Sequence, residues 1–511
     1  MDLRRRFGGV RLPTCNGMAP INWYRLKFHP PFFVLIAAVS GLLLLLVPLI
    51  ESRDAEFPSY MGLYLFLLSL AVLLPLAFKA NTSSGNLPAP VAPFVALNFL
   101  YFVLGTLSLL AYPSRAIGNA SFPAMPMALL ILAAAFALYA AGIAWSGTGV
   151  RKWLSRSVST VTVRGMGILV GVIAAVVWFL RIHFALRGIG FSHASGSGML
   201  GLPRETQPVL TLMYEIQYLP LSLCLTRLCN RTSPLREARD WQTALAVILT
   251  SDAFYFVWAG SRLQLLVEFL ILLWVMWLRL IPRFSRKWYL YTGLVLALAV
   301  PVVYAQRAAL EIVAPRAGEN QLAFTRDVLL KEQARILQGS AGQTVQQGFS
   351  SADTARVSAV GPVSEVADRI YNDHYPLMWG ETLKYSLPFV VPRALWPSKP
   401  VAMAGKLLIE RHFDLRYGDE TNTIEEETIA DFGIAGLCVW MFLFGVLTSM
   451  FFRYFIKMAP AHEPITLCLL HVLPSACVIE TDITGFIDAL RLVPVLFILL
   501  MLLSIRQKPP E

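Results

Sequence analysis

A bilayer's hydrocarbon core is about 30 Å thick, and a helix needs about 20 consecutive apolar residues to cross it. This chain holds about twelve runs of that kind. They lie at 31–50, 61–78, 91–112, 127–147, 166–186, 208–228, 242–260, 263–281, 288–306, 431–455, 464–479 and 487–505. In lipid no water satisfies backbone N–H and C=O groups, so a run of this length must bond within itself, as a helix. The rest of the composition agrees. Only 15% of the 511 residues are charged and the mean hydropathy is +0.59, whereas a soluble chain carries about 25% charged residues. The expected fold class is an all-α polytopic membrane protein. The runs divide it into a membrane bundle of about nine helices (1–306), a large polar loop (307–430) and a closing segment of about three helices (431–511).

The placement of Lys and Arg orients the spans. One set of loops holds Arg4, Arg5, Arg6, Arg11, Arg25 and Lys27, then Lys79, then Arg151, Lys152, Arg156 and Arg164. The same set continues through Arg231, Arg236 and Arg239, then Arg283, Arg286 and Lys287, and ends with Arg506 and Lys508. The alternate loops carry few: Arg53, Arg115, Arg187, Arg204, Arg262 and Arg491. Cytoplasmic termini follow, with the loop 307–430 outside. The first apolar run is of full spanning length and has no small-residue cleavage site at its end, so the basic start is not read as a cleavable signal. The six cysteines fall outside the large loop and show no metal-ligand spacing, which disfavours disulfide and zinc readings. Nothing matches a P-loop, a dinucleotide glycine fingerprint, a zinc-protease helix or a nucleophile elbow.

The large loop mixes helical patterns with breakers. Residues 320–337 place apolar side chains at helical spacing, 339–354 are rich in Gly and Ser, and 363–392 are helical first and then nearly apolar, suited to a re-entrant segment. Late in the loop, PRALWPSKP (392–400) combines three prolines that stiffen the backbone with Arg393, Trp396 and Lys399. Cations fixed at a membrane surface suit a phosphate group; equally, they can snorkel to lipid headgroups from a plain connector. Gly260, Ser261 and Arg262 make a tight turn between two runs, which puts Arg262 at the membrane edge. Arg181, His183 and Arg187 end the fifth run, on nearly one helical face, as further cationic lining or as an anchor. Glu215 and Asp252 lie inside runs and should face the protein interior.

Thr421 and Thr423 can cap the helix that follows the loop, with Glu425, Glu426 and Glu427 in its first turn. Glu427 and Asp431 are four apart and share a face, so Glu427 is a candidate base at the lipid boundary. Gly433 and Gly436 form a G-x-x-G pair that would let another helix approach. His374 and His412 are the loop histidines, either of which could titrate near neutral pH.

Taken in order, the G-S-R turn (260–262), the P-R-x-x-x-P-x-K-P stretch (392–400) and E-x-x-x-D-F-G-x-x-G (427–436) resemble the Wzy-type O-antigen polymerases, which polymerise oligosaccharide repeat units. Asp431 stands where the family pattern has Asn. The resemblance implies a GT-C-like glycosyltransferase of the bacterial inner membrane. Its substrates would be repeat units carried on undecaprenyl diphosphate, and no metal or other cofactor would be needed. Arg262, Arg393, Lys399 and Arg187 would meet the pyrophosphate, and Trp396 would pack on prenyl chain or sugar. Glu427, then His374, then His412, would take the acceptor's proton. A chain-length regulator and a flippase are the implied partners, and nucleic acid is not. An O-antigen ligase acting on lipid A core shares this architecture. A lipid-linked oligosaccharide transporter and an envelope scaffold are the readings from other classes.

Overall fold

The computed structural model describes residues 27–28, 30–50, 61–79, 92–107, 124–149, 160–187, 209, 213, 216–230, 235–277, 281, 287–313, 320–338, 359–391, 396, 405–415, 423–477 and 483–507. Helices dominate: α1 (Pro30–Ile50), α2 (Met61–Leu73), α3 (Ala92–Asn98), α4 (Met125–Gly149), α5 (Met166–Leu186), α6 (Leu219–Cys229), α7 (Leu235–Ala259), α8 (Arg262–Trp277) and α9 (Lys287–Ile312). The loop region supplies α10 (Gln321–Phe324), α11 (Leu330–Gln338), α12 (Val360–Tyr371), α13 (Glu381–Ser386) and α14 (Gly405–Phe413). The closing helices are α15 (Ile424–Met458), α16 (Glu463–Cys477) and α17 (Ile483–Leu502).

Each of the twelve apolar runs contains helix. Among the described residues, four stretches are long and apolar enough to cross a membrane: Met125–Trp145, Met166–Leu186, Glu237–Ala259 and Ile424–Phe451. Shorter apolar helices accompany them, such as Phe33–Leu43 and Val493–Leu502. Many of the exposed side chains on these helices are large and apolar, including Ile168, Phe179, Leu290 and Leu502. That is the surface of a helix whose solvent is lipid rather than water.

Two features depart from the expected architecture. Short antiparallel ribbons pair β1 (Lys27–Phe28) with β2 (Phe78–Lys79), and β3 (Thr160–Val163) with β4 (Ser504–Gln507). The second ties the start of α5 to the end of α17. The other departure is the start of α15 at Ile424, inside the stretch assigned to the loop, so a boundary at 430 would cut a helix. Apolar length marks where a helix is buried in lipid; the polar first turn, held by its cap, precedes that point.

α4 and α15 cross closely. A Cβ on Gly142 would stand 2.2 Å from the Phe442 carbonyl oxygen, and one on Gly445 would stand 2.2 Å from that of Tyr139. Small residues on both sides let the two backbones touch, the usual device for packing helices where water offers no driving force. Phe94, Tyr139 and Phe444 pack their rings tilted or edge-on around this crossing. The loop helix α12 packs on both α4 and α15, with Val360, Val363, Val366 and Ala367 fully buried.

Candidate functional site

The residues at 423–436 form one small construction. Thr423 caps α15, its hydroxyl accepting the Glu426 N–H at 3.2 Å, as a threonine three positions before a glutamate does in a capping box. Glu425, Glu426 and Glu427 are all buried. The Glu427 carboxylate accepts the N–H of Ile483, the first residue of α17, at 2.7 Å. Its other oxygen lies against Gly405, where a Cβ would be 1.7 Å away, so α14 must begin with glycine to pass. One turn on, Asp431 accepts the Thr382 N–H at 3.3 Å and the Thr382 hydroxyl. Each acid therefore sits at the N-terminus of another helix, α17 or α13, where unpaired N–H groups and the helix dipole favour a negative charge.

The glycines act differently from the sequence expectation. Gly433 breaks α15, with φ 67° and ψ −164°, a region that is essentially glycine-only. The freed N–H of Ile434 is taken by the Tyr371 hydroxyl at 2.9 Å. At Gly436 a Cβ would stand 2.1 Å from the Cβ of Phe432, in the same helix. These glycines thus serve a helix break and a folded-back phenylalanine. Close approach of a second helix belongs to Gly142 and Gly445 instead, because it needs glycines that face another backbone.

The segment between α12 and α13 lies along this break. Met378 and Trp379 give their N–H groups to the carbonyls of Ala430 and Asp431, at 3.0 and 2.9 Å. The carbonyl of Pro376 pairs with His412 Nε2 at 2.8 Å; a carbonyl only accepts, so Nε2 carries the proton. His374 is exposed and holds a left-handed backbone, φ 59°. His374, His412 and Glu427 thus belong to segments that contact one another around the break. His412 and Glu427 hold structural bonds there, and His374 faces outward.

Arg393 and Lys399 lie outside the described residues, as do Glu215 and 339–354. Trp396 is exposed. Arg262 opens α8, though its side chain is not among those described. The turn before it is a Schellman cap: Gly260, at φ 69°, donates to Val257, and Ser261 to Phe256. Arg187 is exposed and His183 half-buried, while Arg181 is buried at 2% exposure. They do not share a face, because a step of two residues turns a helix about 200°.

Two features escaped the sequence reading. Glu365, the only ionisable residue in the apolar run 359–367, is buried on α12, with one carboxyl oxygen reached by no donor among the described residues. Burial pushes its pKa up to about 7. The second is a buried group on α5, α7 and α8: Arg181 is paired with Asp252, and Glu268 lies beside Asp252. Asp252 does face the interior, as expected of an acid inside an apolar run. Its arginine partner, 71 positions away, has no signature in the local sequence.

No model of a known protein family matches the chain, and neither does any curated protein or solved structure.

Proposed function

We propose that this protein polymerises lipid-linked oligosaccharide repeat units at the periplasmic face of the bacterial inner membrane, as a twelve-span glycosyltransferase with cytoplasmic termini. The reading starts from the ordered motifs at 260–262, 392–400 and 427–436. The observation that carries it further is the corner around the Gly433 break. There α12, α13, α14 and the 372–380 segment pack over the polar start of an apolar helix and bring Glu427, Asp431, His374 and His412 into neighbouring segments. A lipid-borne substrate presents its reacting carbon at this depth, with its tail in the bilayer.

In the proposed reaction the acceptor hydroxyl attacks the donor's anomeric carbon. The new C–O bond forms as the bond to diphosphate breaks, and the diphosphate leaves with the electron pair. The hydroxyl proton passes to a protein base. Arginine and lysine side chains of the outer segments would stabilise the charge that develops on the leaving diphosphate. No nucleotide is consumed, because the energy resides in the glycosyl diphosphate bond.

The test is purified protein in lipid nanodiscs, given a polyprenyl-diphosphate oligosaccharide and no nucleotide. A ladder of longer glycans with release of polyprenyl diphosphate is expected. Glycan transferred to lipid A core would make the protein a ligase, and substrate translocation without a new bond would make it a transporter. Glu427→Gln keeps an acceptor for the Ile483 N–H, so the variant should fold. Loss of the ladder in this variant, with substrate still bound, assigns Glu427 as the base. An unchanged ladder leaves Glu427 as a helix cap and transfers the role to His374, checked with His374→Gln.

A further inference from the structure

A cavity of about 240 Å³ lies between the last turns of α5, the last turns of α7 and the segment that joins α10 to α11. That segment is a π-helical turn, Thr325–Leu329, a form frequently found at functional sites. The lining is mostly apolar, with Arg181, Thr325 and Arg326 as its polar members beside the Tyr255 ring. Arg181 lines the cavity, is 2% exposed, and has two of its three nitrogens, Nε and Nη2, without a hydrogen-bond partner among the described residues. Asp252 holds the third, Nη1. The guanidinium is sandwiched by aromatics, its carbon 4.2 Å from the Tyr255 ring centroid and 5.3 Å from those of Trp178 and Phe256.

This arrangement is costly unless something completes it. Buried polar groups are nearly always bonded, and an arginine N–H left bare in an apolar site loses its full hydration. Nε and Nη2 form the side edge of the guanidinium fork, whose two parallel N–H groups match two oxygens of one acid group. Asp252 and the three rings fix the plane of that fork. The opening is flanked by exposed Ile182, Phe254 and Leu330, a surface for hydrocarbon rather than water. Arg181 lies about 8 Å before the end of α5, counted at 1.5 Å per residue, a depth suited to a headgroup. A second cation at the cavity, Arg326, is exposed and paired with Asp327 at 2.8 Å.

We infer that this cavity is a binding site for a phosphate-headed lipid: the unbonded Nε–Nη2 edge of Arg181, itself buried, meets the phosphate after a local shift of the rings that cover it, and the chains run out past Ile182 and Phe254 into the bilayer. The site is separate from the corner at Gly433 and does not depend on the transferase reading.

Native mass spectrometry of the intact protein in detergent tests it, with phosphatidylglycerol, diacylglycerol and inorganic phosphate titrated separately. One phosphatidylglycerol should bind at least tenfold more tightly than diacylglycerol, which has the chains without the phosphate. Arg181→Gln should abolish that preference. Because it strands Asp252, the double variant Arg181→Gln with Asp252→Asn is run beside it. Ala185→Phe fills the cavity and leaves the Arg181–Asp252 pair intact; it should likewise lose the lipid. Equal binding of phosphatidylglycerol and diacylglycerol, or variants that bind as tightly as the parent, would overturn the site. Tighter binding of inorganic phosphate than of the lipid would overturn the lipid assignment.

Discussion

Glu463 and Glu268 are both completely buried glutamates in apolar helices, and their surroundings are opposite. Glu463, at the start of α16, has every oxygen in use. One accepts the Val163 N–H at 2.7 Å; the other accepts Arg227 Nη1 at 2.7 Å and Asn230 Nδ2 at 2.8 Å. Arg227 also bonds Glu237 through Nε at 2.8 Å. This hub joins the β3–β4 ribbon to α6, α7 and α16. At the other end of α7, fifteen residues or roughly 22 Å along the helix from Glu237 to Asp252, Glu268 has the Asp252 carboxyl within hydrogen-bonding reach, but no nitrogen or hydroxyl donor among the described residues reaches either of its oxygens. Asp252 likewise has an oxygen that no nitrogen or hydroxyl donor reaches, and Arg181 has two nitrogens without an acceptor. A completed network fixes structure. An incomplete one, beside a cavity, is kept at a cost in stability and leaves bonding capacity for something else.

One substitution made at both glutamates should separate the two regions. Glu463→Gln puts an N–H₂ group where only donors converge, and strips the charge that Arg227 answers. A loss of roughly 3–5 kcal/mol is expected, read as a large drop in the thermal midpoint in detergent. Glu268→Gln instead keeps a hydrogen-bonding group beside Asp252 and removes one of two adjoining carboxyls. It should be neutral or stabilising by about 1 kcal/mol. If both variants lose stability equally, the Arg181 region is a completed network too, and the contrast fails.

A smaller effect is expected at Glu365, buried on α12 in the loop region. Its folded pKa, about 7, lies above the ordinary 4.5. Between those values the folded state holds the proton more tightly than the unfolded state. Stability from this group is therefore full below about pH 4.5 and lost as pH rises through 7. Glu365→Gln should flatten that slope and raise the thermal midpoint at pH 8, on the order of 1 kcal/mol. Parallel stability–pH curves for variant and parent would show that Glu365 is already paired.

Helix positions were legible because hydrophobic length is a local property, and the twelve runs all hold helix. Thr423 as a cap was legible for the same reason: its partner is three residues away. The Gly260 turn also followed from neighbours, since a Schellman cap is closed within six residues. What the motif at 427–436 does was not legible. Read along the chain, Glu427 and Asp431 look like a first-turn acid and its neighbour. In space they terminate helices 56 and 49 positions away.

Sequence alone determined that the chain is helical, apolar enough for lipid, and polar in one long stretch, because each of these is set by residues within a few positions of one another. The tertiary structure decided which buried charges are complete. Glu463 meets Val163, Arg227 and Asn230 across 300, 236 and 233 positions, and Arg181 meets Asp252 across 71. The same residue type in the same kind of helix becomes a structural hub or an open group according to which distant donors the packing delivers. Bonding capacity belongs to the residue, but its use depends on neighbours that only the fold supplies.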